Sequence, residues 1–182
     1  MSIHWIGGFI IYIQKENVTA REYILQALLE LLERDEFETI SVKQIVIKAG
    51  ISRSTFYIHF EDKYHLMDCL REDITSRFLA YYEGTAQQTS RSVQTTTLEI
   101  CKHIFQYQHF YKHEFNQPEY TQNLSDLLAK RLAQVYKDKS YAIFASYGTI
   151  GYLTYWVKGN FDIPPEGAAE QLGRIGLTDW SR

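Results

Sequence analysis

Thr39 to Phe60, TISVKQIVIKAGISRSTFYIHF, decides the reading of this 182-residue chain. The Ser41 hydroxyl can accept from the free backbone N–H groups of the turn that follows it. Val42, Ile45, Val46 and Ala49 recur at helical spacing, with Lys43, Gln44 and Lys48 off that stripe. Gly50 can end a helix in the left-handed region without a Cβ clash. Ile51 can then return to the core and Ser52 can cap a second helix, whose inner face carries Phe56 and Phe60. Arg53, Ser54, Thr55, Tyr57 and His59 are left pointing outward. Arg pairs bidentately with guanine, Ser and Thr reach base edges, and a Thr methyl meets a thymine methyl. Tyr57 and His59 suit phosphate oxygens, contacts that set register without reading sequence. The segment therefore reads as two short helices on a glycine turn, able to put a helix end into the major groove of DNA. A surface hairpin with solvated polar residues is the bland alternative. Two successive Ser caps and a small polar run at a helix start weigh against it.

Around this segment the chain reads as all-α, with about nine helices, an N-terminal three-helix domain and a C-terminal helical body. A helix is expected over about 19–34, with Ile24, Ala27, Leu28, Leu31 and Leu32 on one face. A fourth starts near Glu61 or Asp62 and runs to about Tyr82, and 84–92 (GTAQQTSRS) reads as a loop. Further helices are expected over 93–108 and from Pro118, over 141–157 with Ser140 as cap, and over 166–175 after Pro164 and Pro165. The 141–157 segment, YAIFASYGTIGYLTYWV, is apolar on more than one face, as in a buried or interface helix. Ala145, Gly148 and Gly151 would let a second helix approach closely.

Residues 19–70 resemble the DNA-binding domain of the tetracycline-repressor (TetR) family. The matching features are Thr39-Ile40-Ser41-Val42, Ala49-Gly50-Ile51-Ser52, Thr55-Phe56-Tyr57-Ile58-His59-Phe60, and Lys63 near Leu66. The resemblance implies that Ser41 and Lys43 lie near phosphates, that Arg53, Ser54 and Thr55 face base edges, that Tyr57 and His59 hold the backbone, and that Lys63 reaches a phosphate. It also implies a homodimer through the last two helices, about 141–176, and a C-terminal domain that binds a small-molecule effector. The expected domains are an apolar extension over 1–14, the helix-turn-helix domain over 15–62 and the effector and dimerisation domain over 63–182. The function implied is a transcriptional repressor that binds palindromic operator DNA. One departure is the stretch before the first helix, where Lys15 and Arg21 stand against Glu16 and Glu22 in place of a basic arm.

A net charge of −3 excludes a non-specific nucleic-acid binder, which would be strongly basic. A local patch from Lys43, Lys48, Arg53 and Lys63 suffices for a specific one. Cys69 and Cys101 make no disulfide framework and fit a reducing cytoplasm. Ile3 to Ile13, IHWIGGFIIYI, is too short to span a bilayer, which takes about 20 residues. It reads as an extension that packs on the body or on a partner subunit, so no membrane is expected. The C-terminal body is rich in aromatic residues, of which Phe105, Tyr111, Phe144, Tyr147 and Trp156 are the candidates to line an effector pocket. Cys101, His103, His109 and His113 offer an alternative, a metal-responsive regulator; otherwise no metal and no cofactor are expected. A helical protein-interaction module is the other alternative. No phosphate-binding glycine loop, G-x-S-x-G turn or H-E-x-x-H is present, so no enzyme is expected.

Overall fold

A computed structural model of the chain describes residues 19–87, 93–135 and 138–177, together with the backbone of two strands. Trp5–Ile6 and Phe9–Ile10 pair antiparallel. The expected extension over 1–14 otherwise lies outside the described residues. The described helices are α1 (Ala20–Leu32), α2 (Val42–Ala49), α3 (Arg53–His59), α4 (Lys63–Gln87), α5 (Val93–Gln106), α6 (Gln108–Glu114), α7 (Pro118–Val135), α8 (Lys139–Lys158) and α9 (Pro165–Leu177). The fold is all-α, and the chain divides into two compact units, 1–70 and 71–182.

In the first unit, α1 starts on a reciprocal cap. The Thr19 hydroxyl accepts from the Glu22 N–H at 3.4 Å, and the Glu22 carboxylate accepts from the Thr19 N–H at 2.7 Å. Its apolar stripe, Ile24, Leu25, Ala27, Leu28 and Leu32, is buried where α1 packs on α2 and α3. A 3-10 turn, Phe37–Thr39, then buries Phe37 and leads to Ser41. Ile45 and Phe56 are wholly buried, which fixes α2 and α3 on α1; truncating such a phenylalanine costs about 3–5 kcal/mol.

In the second unit α7 packs along α8 and α5 along α9. Leu124 and Leu128 of α7, Ile150, Leu153 and Trp156 of α8, and Ile100 and Ile104 of α5 are buried. The turn after α8 places Asn160 and Phe161 at φ 56° and 58°. Asn tolerates that region, whereas a Phe held there costs about 1–3 kcal/mol. Packing offsets this cost: the Phe161 ring meets Trp156 at 4.9 Å and Phe105 at 5.3 Å, and its N–H donates to the Trp156 carbonyl at 3.1 Å.

Three boundaries differ from expectation. Helix α4 runs through Gly84 to Gln87, so the first part of the expected loop is helical; 88–92 lie outside the described residues. The helix expected over 93–108 ends at Gln106 because Tyr107, at φ −102° and ψ 33°, leaves helical geometry before α6 begins. Asp138, not Ser140, caps α8: its carboxylate accepts from the N–H groups of Ser140 and Tyr141 at 2.8 and 3.3 Å.

Candidate nucleic-acid interface and the helical body

The reading head is assembled by short-range contacts. The Ser41 hydroxyl accepts from the Gln44 N–H at 3.3 Å while the Gln44 side chain accepts from the Ser41 N–H at 2.9 Å, so α2 opens on a second reciprocal cap. Gly50 sits at φ 68°, ψ 30°, and its N–H, with that of Ile51, closes the last turn of α2 on the carbonyls of Val46 and Ile47. The Ser52 hydroxyl accepts from the Thr55 N–H at 3.1 Å and lies 2.8 Å from both the Ser54 and Thr55 hydroxyls. Inside α3, Phe56 is buried against Phe60, at 5.8 Å between ring centroids.

With its inner face fixed, α3 displays the other side. Arg53, Ser54 and Tyr57 are exposed, while Thr55 and His59 are half-buried. Arg53 lies over the Tyr57 ring at 5.6 Å and donates to its hydroxyl at 3.1 Å, which holds the guanidinium along the helix. Ser41 and Lys43 are exposed at the start of α2. Two exposed isoleucines, Ile47 (69%) and Ile58 (77%), were missed in the sequence, although Ile58 stands one turn beyond Ser54 on the same face. Lys48 pairs with Glu30 at 2.6 Å, so its charge is partly matched within the head.

Lys63 is bound by the chain itself. Its ammonium donates to the carbonyls of Phe37, Glu38 and Ile40 at 2.9, 2.8 and 2.9 Å. An ammonium has three N–H groups, and all three find acceptors within the head.

The five aromatic residues expected to line one pocket fall into separate sets. Tyr111 is buried between Phe110 and Phe115, with its hydroxyl 3.0 Å from His103 Nε2. Trp156 is buried and donates its indole N–H to the Ile163 carbonyl at 2.9 Å; Phe105 joins it through Phe161. Phe144 and Tyr147 instead lie on the exposed side of α8, beside Ser140, Ile143 and Gly148. Phe115 and Tyr147, from two of these sets, share a groove of ≈ 390 Å³ with Gln122, Thr154 and Lys158.

The alternative metal site is not assembled: among the described residues no three His, Cys, Asp or Glu side chains come together. Burial, with Glu166 second, pushes the Cys101 thiol up to about 12 and keeps it protonated. Burial, with Arg77 second, pushes His103 down to about 4, so its imidazole is neutral beside Tyr111. Arg71 joins the wholly buried Glu114 by a two-pronged contact at 2.7 and 3.0 Å.

An all-α chain whose first unit presents a glycine-turned helix pair with a polar outer face is a helix-turn-helix protein. The family model for bacterial regulatory proteins of the tetR family matches residues 24–69, and that for a transcriptional regulator C-terminal region matches 91–176. The chain belongs to the tetR family of transcriptional regulators. It is 21% identical over 172 residues to an uncharacterized HTH-type transcriptional regulator of Bacillus subtilis, YxbF, covering 86% of this chain and 44% of that protein. The chain spans less than half the length of the curated relatives it matches. Two solved structures share the fold. The dihydroxyacetone kinase operon activator DhaS has a TM-score of 0.69 and 17% identity, over 88% of this chain and 96% of that one. A transcriptional regulator from Aquifex aeolicus has a TM-score of 0.67 and 19% identity, over 87% and 98%. Among the described residues no helix is long and apolar enough to cross a membrane.

Proposed function

We propose that this regulator acts in the cytoplasm as a homodimeric repressor, reading a palindromic operator with residues 15–62 and releasing it when a small molecule binds within 63–182. The observation that carries the DNA reading is the outer face of α3, where Arg53, Ser54 and Tyr57 are exposed over a locked Phe56. Arg53 and Ser54 would meet base edges, and Ile58 offers an apolar contact for a thymine methyl. Ser41, Lys43, Tyr57 and His59 would take phosphates.

Support for the dimer comes from α8. Ile143, Phe144 and Tyr155 are exposed along it, and Gly148 has open space where a Cβ would stand. Large apolar groups beside a glycine notch suit a second helix packed closely. A two-fold dimer would set two α3 helices about 34–36 Å apart, one helical turn of DNA. Support for an effector comes from the groove beside α7 and α8, where the buried Thr154 hydroxyl has no partner. An effector acts by binding one arrangement better than the other, and that difference is the coupling free energy.

Selection of duplexes from a random library with the full-length chain tests the reading. Enrichment of an inverted repeat is the expected result. Enrichment of a single unrepeated site would remove the dimer, and no enrichment would remove the operator.

A further inference from the structure

We propose that Lys63 is a positioning residue for DNA reading: it holds the Phe37–Ile40 connection, and so the start of α2, without binding a phosphate itself. The inference rests on the DNA-binding reading above. Three carbonyl oxygens converge on one ammonium at 2.8–2.9 Å, from residues 23 to 26 positions away in the chain. The cradle is closed by two rings, with Nζ 4.7 Å from the Phe37 centroid and 5.4 Å from that of Tyr64. These rings meet edge-on at 5.6 Å, so the cation sits where both faces can stabilise it. Reaching a phosphate would pull the ammonium off part-buried carbonyls and leave them short of a donor.

What the cradle holds is the approach to α2. Ile40, the last carbonyl it grips, is followed at once by Ser41, the N-cap of that helix. The direction of the α2 N-terminus, with Ser41 and Lys43, therefore depends on a 3-10 turn that carries few internal bonds of its own: Thr39 N–H to Glu36 and Ile40 N–H to Phe37. Lys63 supplies three more. It is also the first residue of α4, the helix whose later turns belong to the second unit.

The test uses the full-length chain, Lys63→Met and Lys63→Arg, and the duplex that the wild type selects. Lys63→Met is expected to weaken binding by about tenfold, as for lost charge-assisted hydrogen bonds, with the wild-type salt dependence retained. Amide hydrogen exchange over 37–45 in the free protein should accelerate. Lys63→Arg keeps the charge, but its planar fork does not match three converging carbonyls, so exchange should stay fast and affinity low. The proposal is overturned if Lys63→Met lowers the salt slope by about 0.9, the value for one phosphate, while exchange is unchanged and Lys63→Arg binds as wild type. Should Lys63→Met fail to fold, the wild-type ammonium decides. Its ¹⁵N–¹H signal should be protected in the free chain and unmoved by DNA; a signal that shifts only with DNA would overturn the cradle. If the wild type selects no duplex, the operator reading falls separately, and exchange in the free chain still tests the cradle.

Discussion

Both units hold local side-chain bonds, but the longest ones reach different distances along the chain, 26 positions in the head and 48 in the body. In the head, Thr19 bonds Glu22, Ser41 bonds Gln44, Ser52 bonds Thr55 and Arg53 bonds Tyr57, each within three or four residues. In the body, Arg71 reaches Glu114 across 43 positions, Thr75 reaches Tyr120 across 45 and Lys112 reaches Asn160 across 48. The head is thus a set of locally capped helices whose outer residues, Arg53, Ser54 and Tyr57 among them, stay exposed. The body is packed so that polar groups on different helices meet, with the buried Thr96 and Thr154 hydroxyls left over among the described residues.

That contrast predicts where single substitutions will hurt most. Arg71→Ala should be the most damaging, because it removes the two-pronged partner of a wholly buried carboxylate. Breaking such a pair costs about 3–5 kcal/mol, toward the low end here because Arg71 is one-third exposed and His113 Nε2 stays 3.8 Å from the carboxylate. Urea denaturation followed by tryptophan fluorescence, to which Trp156 contributes, reads the loss. Arg71→Met with Glu114→Leu should recover most of it, since no charge is then stranded. A single-variant cost no larger than that of a helix cap would break the contrast.

His103 should make the body acid-labile by a similar amount. Its folded value, about 4, lies below the ordinary 6.5, so the unfolded chain binds the proton more readily. Its contribution is therefore complete above pH 6.5 and is lost as pH falls toward 4, by about 3 kcal/mol in all. His103→Gln keeps an acceptor for the Tyr111 hydroxyl and removes the titration. The difference between wild-type and variant midpoints should then vanish into a constant below pH 4 and above pH 6.5, with its change confined between. A difference that is flat across the whole range would show that His103 is not held neutral.

How far each unit was legible in the sequence follows from the same distances. The caps Ser41 and Ser52, the Gly50 turn and the inner pair Phe56 and Phe60 are fixed by neighbours three to six positions away, and spacing alone placed them. Lys63 and Lys48 make the long-range contacts in the head, to the 37–40 carbonyls and to Glu30, and spacing along the chain announces neither. In the body, most helices were legible, but α6 was not expected as a separate helix and the five aromatic residues looked alike. Nothing near Phe144 in the chain says that it faces outward, or near Tyr111 that it is buried, because packing partners on other helices decide both. Ile47 and Ile58 were overlooked for a related reason: apolar residues within an amphipathic segment are assumed to be inside.

Arg53→Ala should separate reading from folding. Arg53 is exposed and its partner, Tyr57, is on the same helix, so the head should keep its thermal stability. Affinity for the selected duplex should fall by about 1–3 kcal/mol, with preference relaxed at the base it contacts. A uniform loss across all sequences, with a lower salt slope, would move Arg53 from bases to phosphates.

The smallest effects should come from the two serine caps, and their additivity is the sharper measurement. Ser41→Ala removes the acceptor for the Gln44 N–H, but Gln44 can still accept from the residue 41 backbone. Ser52→Ala removes an acceptor and also the oxygen shared by the Ser54 and Thr55 hydroxyls. Both should cost about 0.5–2 kcal/mol, with Ser52 the larger. The caps share no partner, so the double variant should equal the sum within roughly 0.5 kcal/mol. Arg71→Ala with Tyr120→Phe offers the matching measurement in the body, where Tyr120 bonds Thr75, one turn from Arg71, and senses both Arg71 and Glu114. Additive caps in the head beside a coupling above that margin in the body would establish the contrast energetically. Strong coupling between the caps would mean that the short helices of the head do not hold their geometry independently.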